Sequence, residues 1–160
     1  MKVENTLDKR FQKQGKLKVV HGTVLNPEAN ALRFVLSVNN MAGKADGPLF
    51  ALFDKKWVAV RKHAKGWYAN KTGAYKIGAI EELPVQSDVW VIPMLCANEN
   101  GEVDVEGLKV CLSAVAKKAL WEKASCHISS LLIDMIPELP ELIQSHLIEA
   151  GVSVCVYEEN

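Results

Sequence analysis

Signatures of several large protein classes are missing from this sequence. None of its apolar runs approaches the roughly 18 residues that a membrane-spanning helix needs, and residues 1–10 contain no apolar segment that could act as a signal peptide. The P-loop, G-x-G-x-x-G, G-x-S-x-G and H-E-x-x-H motifs are also absent. We therefore expect a cytoplasmic protein that has no membrane partner, and its chemistry is not indicated by any of these motifs.

Cysteine and histidine are scarce, with four residues of each. The cysteines form no C-x-x-C pair, and the histidines lack metal-ligand spacing. We expect neither a disulfide framework nor a metal site nor a cofactor, and each histidine is interpreted as a structural or surface residue. The cysteines are predicted to pack as small buried hydrophobic side chains: Cys96, Cys111, Cys126 and Cys155.

The net charge of zero conceals one basic segment. Residues 55–76 contain seven lysines and arginines and no carboxylate, interleaved with two tryptophans and two tyrosines. One interpretation is a surface that grips phosphates, stacks a base or meets an acidic protein partner, at Lys55 to Lys76. The other is a core strand at 57–60 with solvated lysines on its flanks. The residues alone leave both open.

The central stretch of the chain runs from Phe34 to Phe53. A short apolar run rich in β-branched residues ends at Asn39 and Asn40, a loop with two glycines follows, and Pro48 opens a predicted helix over 48–54. Ligands settle at the carboxyl ends of strands in open α/β sheets. The two asparagines are therefore candidate ligand contacts, although asparagine and glycine also end strands without any function.

Other segments complete a pattern of strands and helices. Strands are predicted at 17–25, 88–95, 128–133 and 152–157, with a short strand at 75–80 and a β-hairpin over 57–69. One helix should be capped by Asp104 and carry an apolar stripe from Leu108 to Leu120. A second should open at Pro140 and stop at Gly151. The pattern predicts an α/β fold, with 1–16 as a mobile or helical leader and 17–160 as one domain.

At this level of pattern, almost the whole chain resembles the macro domain, an ADP-ribose-binding α/β/α fold. Residues 17–25 resemble its opening strand and turn, and 34–53 resemble the strand, Asn-containing loop and helix that hold the distal ribose. The resemblance implies a three-layer α/β/α sandwich with a mixed, largely parallel central sheet. It also implies ADP-ribose or another nucleotide as the ligand.

The resemblance assigns site residues one by one. Asn39 falls on the ribose-side asparagine and is the candidate catalytic residue. Ligand-binding positions would be Gly22, Thr23, Asn40, Asp46, Gly47, Pro137 and Glu138.

Departures from the family pattern bear on function. Thr23 stands where the family has an adenine-reading Asp, and only Gly47 is kept from a glycine-rich run before the helix. Pro137 and Glu138 replace a glycine-rich diphosphate loop, and Glu138 should repel a diphosphate. Two hypotheses follow. The first is a divergent binder of ADP-ribose or a related nucleotide that also hydrolyses an ADP-ribosyl or phosphate ester. The second is a non-catalytic interaction or structural module that has lost nucleotide binding.

Overall fold

A computed structural model describes residues 14–29, 31–71 and 75–159. Most of the predicted leader, residues 1–13, lies outside the described residues. Its last residues contact the domain, because the Gly15 amide donates to the Ile148 carbonyl at 2.9 Å and the Lys16 amide donates to Ser153 Oγ at 3.1 Å.

A six-stranded sheet forms the centre of the protein. The strands are β1 Leu17–His21, β2 Arg33–Asn40, β3 Leu83–Gln86, β4 Val89–Ala97, β5 Ser125–Ser129 and β6 Val154–Glu158. They lie in the order β1-β6-β5-β2-β4-β3, and every pairing is parallel except that of β3 with β4. The carboxyl ends of β2 and β4 therefore meet at one edge of the sheet.

Helices pack in two groups around this sheet. They are α1 Pro48–Asp54, α2 Ala59–Asn70, α3 Val105–Glu122, α4 Ser130–Met135 and α5 Leu139–Ile143, which continues into a π-helical turn, Gln144–Ile148. Helix α1 contacts α2 and α4, whereas α3 contacts β4, α5 and the π turn. The result is the predicted three-layer α/β/α sandwich with a mixed, largely parallel sheet.

Two predicted helix starts are confirmed. Asp104 caps α3 by accepting a hydrogen bond from the Gly107 amide at 2.8 Å, and the apolar stripe is buried at Leu108 and Leu112, although Leu120 at its end is exposed. Helix α1 spans Pro48–Asp54, as expected from its proline at the first position. Both helices are thus determined by local sequence.

The predicted β-hairpin over 57–69 is wrong, because the segment forms helix α2. Its buried residues are Val60, Ala64 and Trp67. That spacing of four and three residues is the period of a helix that buries one face. The lysines that suggested strand flanks lie on the other face.

Two further predictions need correction. The strand expected at 128–133 ends at Ser129, whose Oγ accepts from the Leu131 amide at 3.1 Å and caps α4. The strand expected at 75–80 is a loop that touches the sheet through one bridge between Ile80 and Met94. In both places the apolar residues are buried or partly buried, and their sequence pattern does not distinguish this packing from that of a strand.

All four cysteines are free thiols and are buried, as predicted. Within the described parts of the chain, no helix is long and apolar enough to cross a membrane. Over the same residues, no group of three or more His, Cys, Asp or Glu side chains could hold a metal ion.

Candidate functional site

Asn39 lies in a cavity at the carboxyl ends of β2 and β4. The cavity has a volume of about 120 Å³ and is walled by β2, the following loop, α1, the loop after β4 and the end of α4. Its lining residues are Val38, Asn39, Asn40, Asp46, Leu49, Phe50, Ala97, Gly101, Val103 and Met135. The strand order thus brings together residues that are far apart in the sequence.

The carboxamide of Asn39 is buried without a complete set of partners. Only 6% of the residue is exposed, and its Oδ1 atom has no hydrogen-bond partner among the described residues. A buried amide oxygen without a partner costs free energy comparable to a lost hydrogen bond. Since Asn39 lines the cavity, a rotation of its carboxamide would bring this oxygen to a donor on a bound molecule, such as a sugar hydroxyl or a water.

Asn40 has a different environment from Asn39. Its Oδ1 accepts from the amides of Ala42 and Lys44, both at 3.1 Å, and its Nδ2 donates to the Lys44 carbonyl at 3.1 Å. The side chain therefore folds the loop that follows β2. It contributes to the cavity wall mainly as part of that loop.

Asp46 and Gly47 complete this loop and lead into α1. Asp46 is exposed and lines the Asn39 cavity, and Gly47 directly precedes the helix at a φ of 97°. This φ lies in the left-handed region, which favours glycine. Of the predicted site residues, Asn39, Asn40 and Asp46 line one cavity.

A more polar cavity of about 320 Å³ adjoins the first one. The two share Asn40, Asp46 and Gly101, and the second adds Lys44, Glu99 and Asn100. No sequence motif indicated that the loop after β4 forms a wall of the site. Its contribution follows from the parallel pairing of β2 with β4.

Gly22 and Thr23 line a separate cavity of about 260 Å³, together with Leu25, Leu52, Lys55 and Glu159. Sequence reasoning missed Glu159, the carboxylate of this cavity. Its Oε2 accepts from the Val24 amide at 3.0 Å, and its own amide donates to Ser130 Oγ at 3.1 Å. Glu159 therefore orders the turn after β1, and it lines the same cavity as Thr23.

Pro137 and Glu138 are exposed on the turn between α4 and α5. From this part of the chain, Met135 lines the Asn39 cavity. The predicted residues Pro137 and Glu138 thus lie close in sequence to the cavity wall. The sequence offered no reason to select a methionine instead.

Residues of the basic segment divide between structural contacts and exposed charge. Lys56 Nζ donates to the Leu25 carbonyl at 2.8 Å and to Asn26 Oδ1 at 3.0 Å, and Lys71 Nζ lies 3.7 Å from the ring centroid of Tyr68. Lys62 and Lys65 are exposed on α2. Part of the segment is therefore engaged in tertiary structure.

The fold lowers the pKa of His127, which lies in β5, to about 4. Burial is the main cause, and the positive charge of Arg33 adds to it. Its Nδ1 lies 2.7 Å from the Tyr157 hydroxyl, and its Nε2 lies 2.7 Å from Ser125 Oγ. The Tyr157 oxygen accepts from the Glu28 amide, so its proton is free to bond the neutral imidazole.

No protein-family model and no curated protein sequence matches the chain significantly. Solved structures do resemble it. A macrodomain protein from Streptomyces coelicolor is 21% identical with a TM-score of 0.82, over 91% of this chain and 100% of that one. The macrodomain of Thermus aquaticus DarG is 18% identical with a TM-score of 0.69, over 90% and 99%.

A third structure was solved with a ligand. Thermosipho africanus DarTG in complex with ADP-ribose is 12% identical with a TM-score of 0.69, over 89% of this chain and 41% of that one. These identities are too low to carry function across, but the shared architecture covers nearly the whole chain. The protein therefore has a macro-domain-like fold. Its amino-acid sequence differs strongly from the sequences of these three structures.

Proposed function

We propose that the protein binds ADP-ribose or a closely related nucleotide, with a pentose in the Asn39 cavity. The observation that carries this proposal is Asn39, which lines the cavity and whose buried amide oxygen has no hydrogen-bond partner among the described residues. With the carboxamide rotated toward the cavity, a sugar hydroxyl would donate to this oxygen. The proposal is further supported by the macro-domain-like fold and by the ADP-ribose complex of the Thermosipho africanus protein.

The sizes of the cavities favour a ligand whose chemical groups occupy separate cavities. At about 120 Å³, the Asn39 cavity is smaller than the roughly 300–1,000 Å³ typical of small-molecule sites. It suits one ring-sized group instead of a whole nucleotide. The remainder of the ligand would lie across the neighbouring cavities at the same edge of the sheet, which have volumes of about 260 and 320 Å³. We therefore expect weak affinity.

Hydrolysis of an ADP-ribosyl or phosphate ester is the reaction that this arrangement would support. Asn39 would orient the ribose and an attacking water, since positioning alone can supply a large part of a rate enhancement. Asp46 is the carboxylate that lines the same cavity. It would serve as an acceptor for the water or a ribose hydroxyl.

One feature favours a second candidate function, that of an interaction module without nucleotide binding. Glu138 is exposed on the turn after α4, and the resemblance places a diphosphate at that turn. A carboxylate there would repel a diphosphate. An acidic partner meeting the exposed lysines of α2 would belong to this class.

Isothermal titration calorimetry with ADP-ribose separates the two functions. Heat of binding at micromolar ligand supports the first, and its loss in Asn39→Ala would place the ligand in the Asn39 cavity. Silence at millimolar ligand supports the second. Release of free ADP-ribose from an ADP-ribosylated peptide, followed by chromatography, tests hydrolysis separately.

A further inference from the structure

We propose that Arg61 and Tyr75 are positioning residues that hold the loop 41–47 and thereby shape the Asn39 cavity. Both residues belong to the basic, aromatic segment at 55–76, and they connect that segment to the site. The consequence for ligand affinity rests on the proposed function. The consequence for the loop itself does not, so the two are tested separately.

Arg61 links the loop to helix α1. Its guanidinium donates to the Ala45 carbonyl in the loop, and its Nη2 lies 2.8 Å from Asp54 Oδ2 at the end of α1. The same group lies over the ring of Phe50, 5.8 Å from the centroid. Phe50 lines the Asn39 cavity, and Ala45 directly precedes Asp46, which also lines it. One side chain therefore fixes two walls relative to each other.

Tyr75 holds the start of the loop. Its hydroxyl donates to the Asn40 carbonyl at 3.1 Å, and that carbonyl also accepts from the Gly43 amide at 3.1 Å. The ring of Tyr75 meets those of Trp67 and Tyr68 edge-on, with centroids 5.4 and 6.1 Å apart. These contacts pack the tyrosine ring against α2, and this packing fixes the position of its hydroxyl.

Gly43 shows how closely the loop is pressed against α2. A Cβ atom built on Gly43 would lie 2.3 Å from Tyr68 Cγ, and the φ of Gly43 is +69°. Only glycine suits this combination of backbone and contact. The loop is thus bound at Asn40, Gly43 and Ala45 by three side chains of one segment.

Hydrogen–deuterium exchange read by NMR tests the clamp directly. The reporters are the amides of Ala42 and Lys44, which donate to Asn40 Oδ1. Tyr75→Phe and Arg61→Gln should each speed their exchange by about fivefold or more, the effect of losing one hydrogen bond. The matched control is Lys117→Gln, at an exposed lysine of α3 outside the basic segment, which should leave exchange unchanged.

Exchange elsewhere distinguishes positioning from general stability. The clamp requires faster exchange in 41–47 with unchanged exchange in β6. Equal acceleration everywhere, or none in the loop, would overturn it. Arg61→Lys keeps the charge, but a lysine cannot bond Ala45 and Asp54 with the two arms of a guanidinium. The amides of residues 41–47 should therefore exchange as fast in Arg61→Lys as in Arg61→Gln.

Affinity is measured on the same variants. If the parent protein binds ADP-ribose, Arg61→Gln and Tyr75→Phe should raise the Kd by about five- to tenfold, although neither residue lines the Asn39 cavity, and Lys117→Gln should not. An unchanged Kd would overturn the role in ligand binding. A parent protein that does not bind would refute the proposed function, and the exchange data would still decide whether Arg61 and Tyr75 hold the loop.

Discussion

Asn39 and Asn40 are adjacent at the end of β2, yet their carboxamides differ in hydrogen bonding. That of Asn40 makes three hydrogen bonds within the following loop. That of Asn39 is buried in a cavity wall, and its oxygen has no partner among the described residues. The pairing of β2 with β4 shifts its register between Asn39 and Asn40, so Asn39 keeps its place in the regular strand while Asn40 already belongs to the turn into the loop. One asparagine builds the loop, and the other is available to a ligand.

Replacing each asparagine should therefore have a different result. If the protein binds ADP-ribose, Asn39→Ala should weaken binding by about 1–3 kcal/mol, the cost of removing a buried polar contact, with little change in melting temperature. Asn40→Ala should lower the melting temperature, because the loop loses its internal bonds. Calorimetry and thermal melts check both. Binding that survives Asn39→Ala unchanged would place the ligand outside the Asn39 cavity.

Glu138→Gln should strengthen the binding of ADP-ribose. The substitution removes a negative charge from the turn where the resemblance places a diphosphate, and the residue is exposed, so stability should hardly change. The same titration in high salt should show a smaller difference, since salt screens exposed charges. Weaker binding by this variant would instead identify Glu138 as a direct contact or a general base.

Lys62, Lys65 and Lys71 test the basic segment as a partner surface. Changing all three to Glu should abolish binding of an acidic partner or a phosphate-bearing ligand that uses this surface. Lys62 and Lys65 are exposed, and exposed charges usually change stability by about 0.5 kcal/mol or less. Lys71 lies over the Tyr68 ring, so the double variant of Lys62 and Lys65 is the matched control. An interaction indifferent to both variants and to salt would exclude this surface.

Leu112→Ala and Val154→Ala test the core. Both residues are buried, at 0% and 2% exposure. Truncating a buried leucine typically costs about 2–5 kcal/mol, and valine somewhat less. Denaturant unfolding should show both losses, whereas exposed Lys62→Gln should melt like the parent. Parent-like melting of both core variants would contradict the placement of α3 and β6.

His127 should make the protein less stable in mild acid. Its pKa is about 4 in the folded state against an ordinary 6.5, so the unfolded chain takes up a proton first as the pH falls. The free energy of unfolding should decline between about pH 6.5 and 4, by at most roughly 3 kcal/mol, and this contribution should level off below. Denaturant titrations across that window check it. His127→Gln should flatten the decline, and equal slopes in the two proteins would contradict the assignment.

Local chemistry made some parts of the fold predictable. Pro48 fixes the start of α1, Asp104 caps α3, and the β-branched run before Asn39 forms a central strand. Each depends on contacts within a few residues, which the sequence displays. The hairpin predicted over 57–69 is wrong. Val60, Ala64 and Trp67 have the spacing of a helix that buries one face, whereas the prediction relied on short apolar runs that are also typical of strands. Burial on a helix face and burial at a sheet edge can produce similar short apolar runs in a sequence.

By itself, the sequence determined the alternation of strands and helices, the sandwich class and the location of the asparagine loop, because hydrophobic period and capping residues act locally. Tertiary structure alone decided which asparagine is buried with an unpaired oxygen and that Gly101, Val103 and Met135 complete the cavity walls. It also decided that Arg61 and Tyr75 reach the loop from α2 and the segment after it. These relations depend on strand order and on distances between residues remote in the chain, which no local pattern encodes.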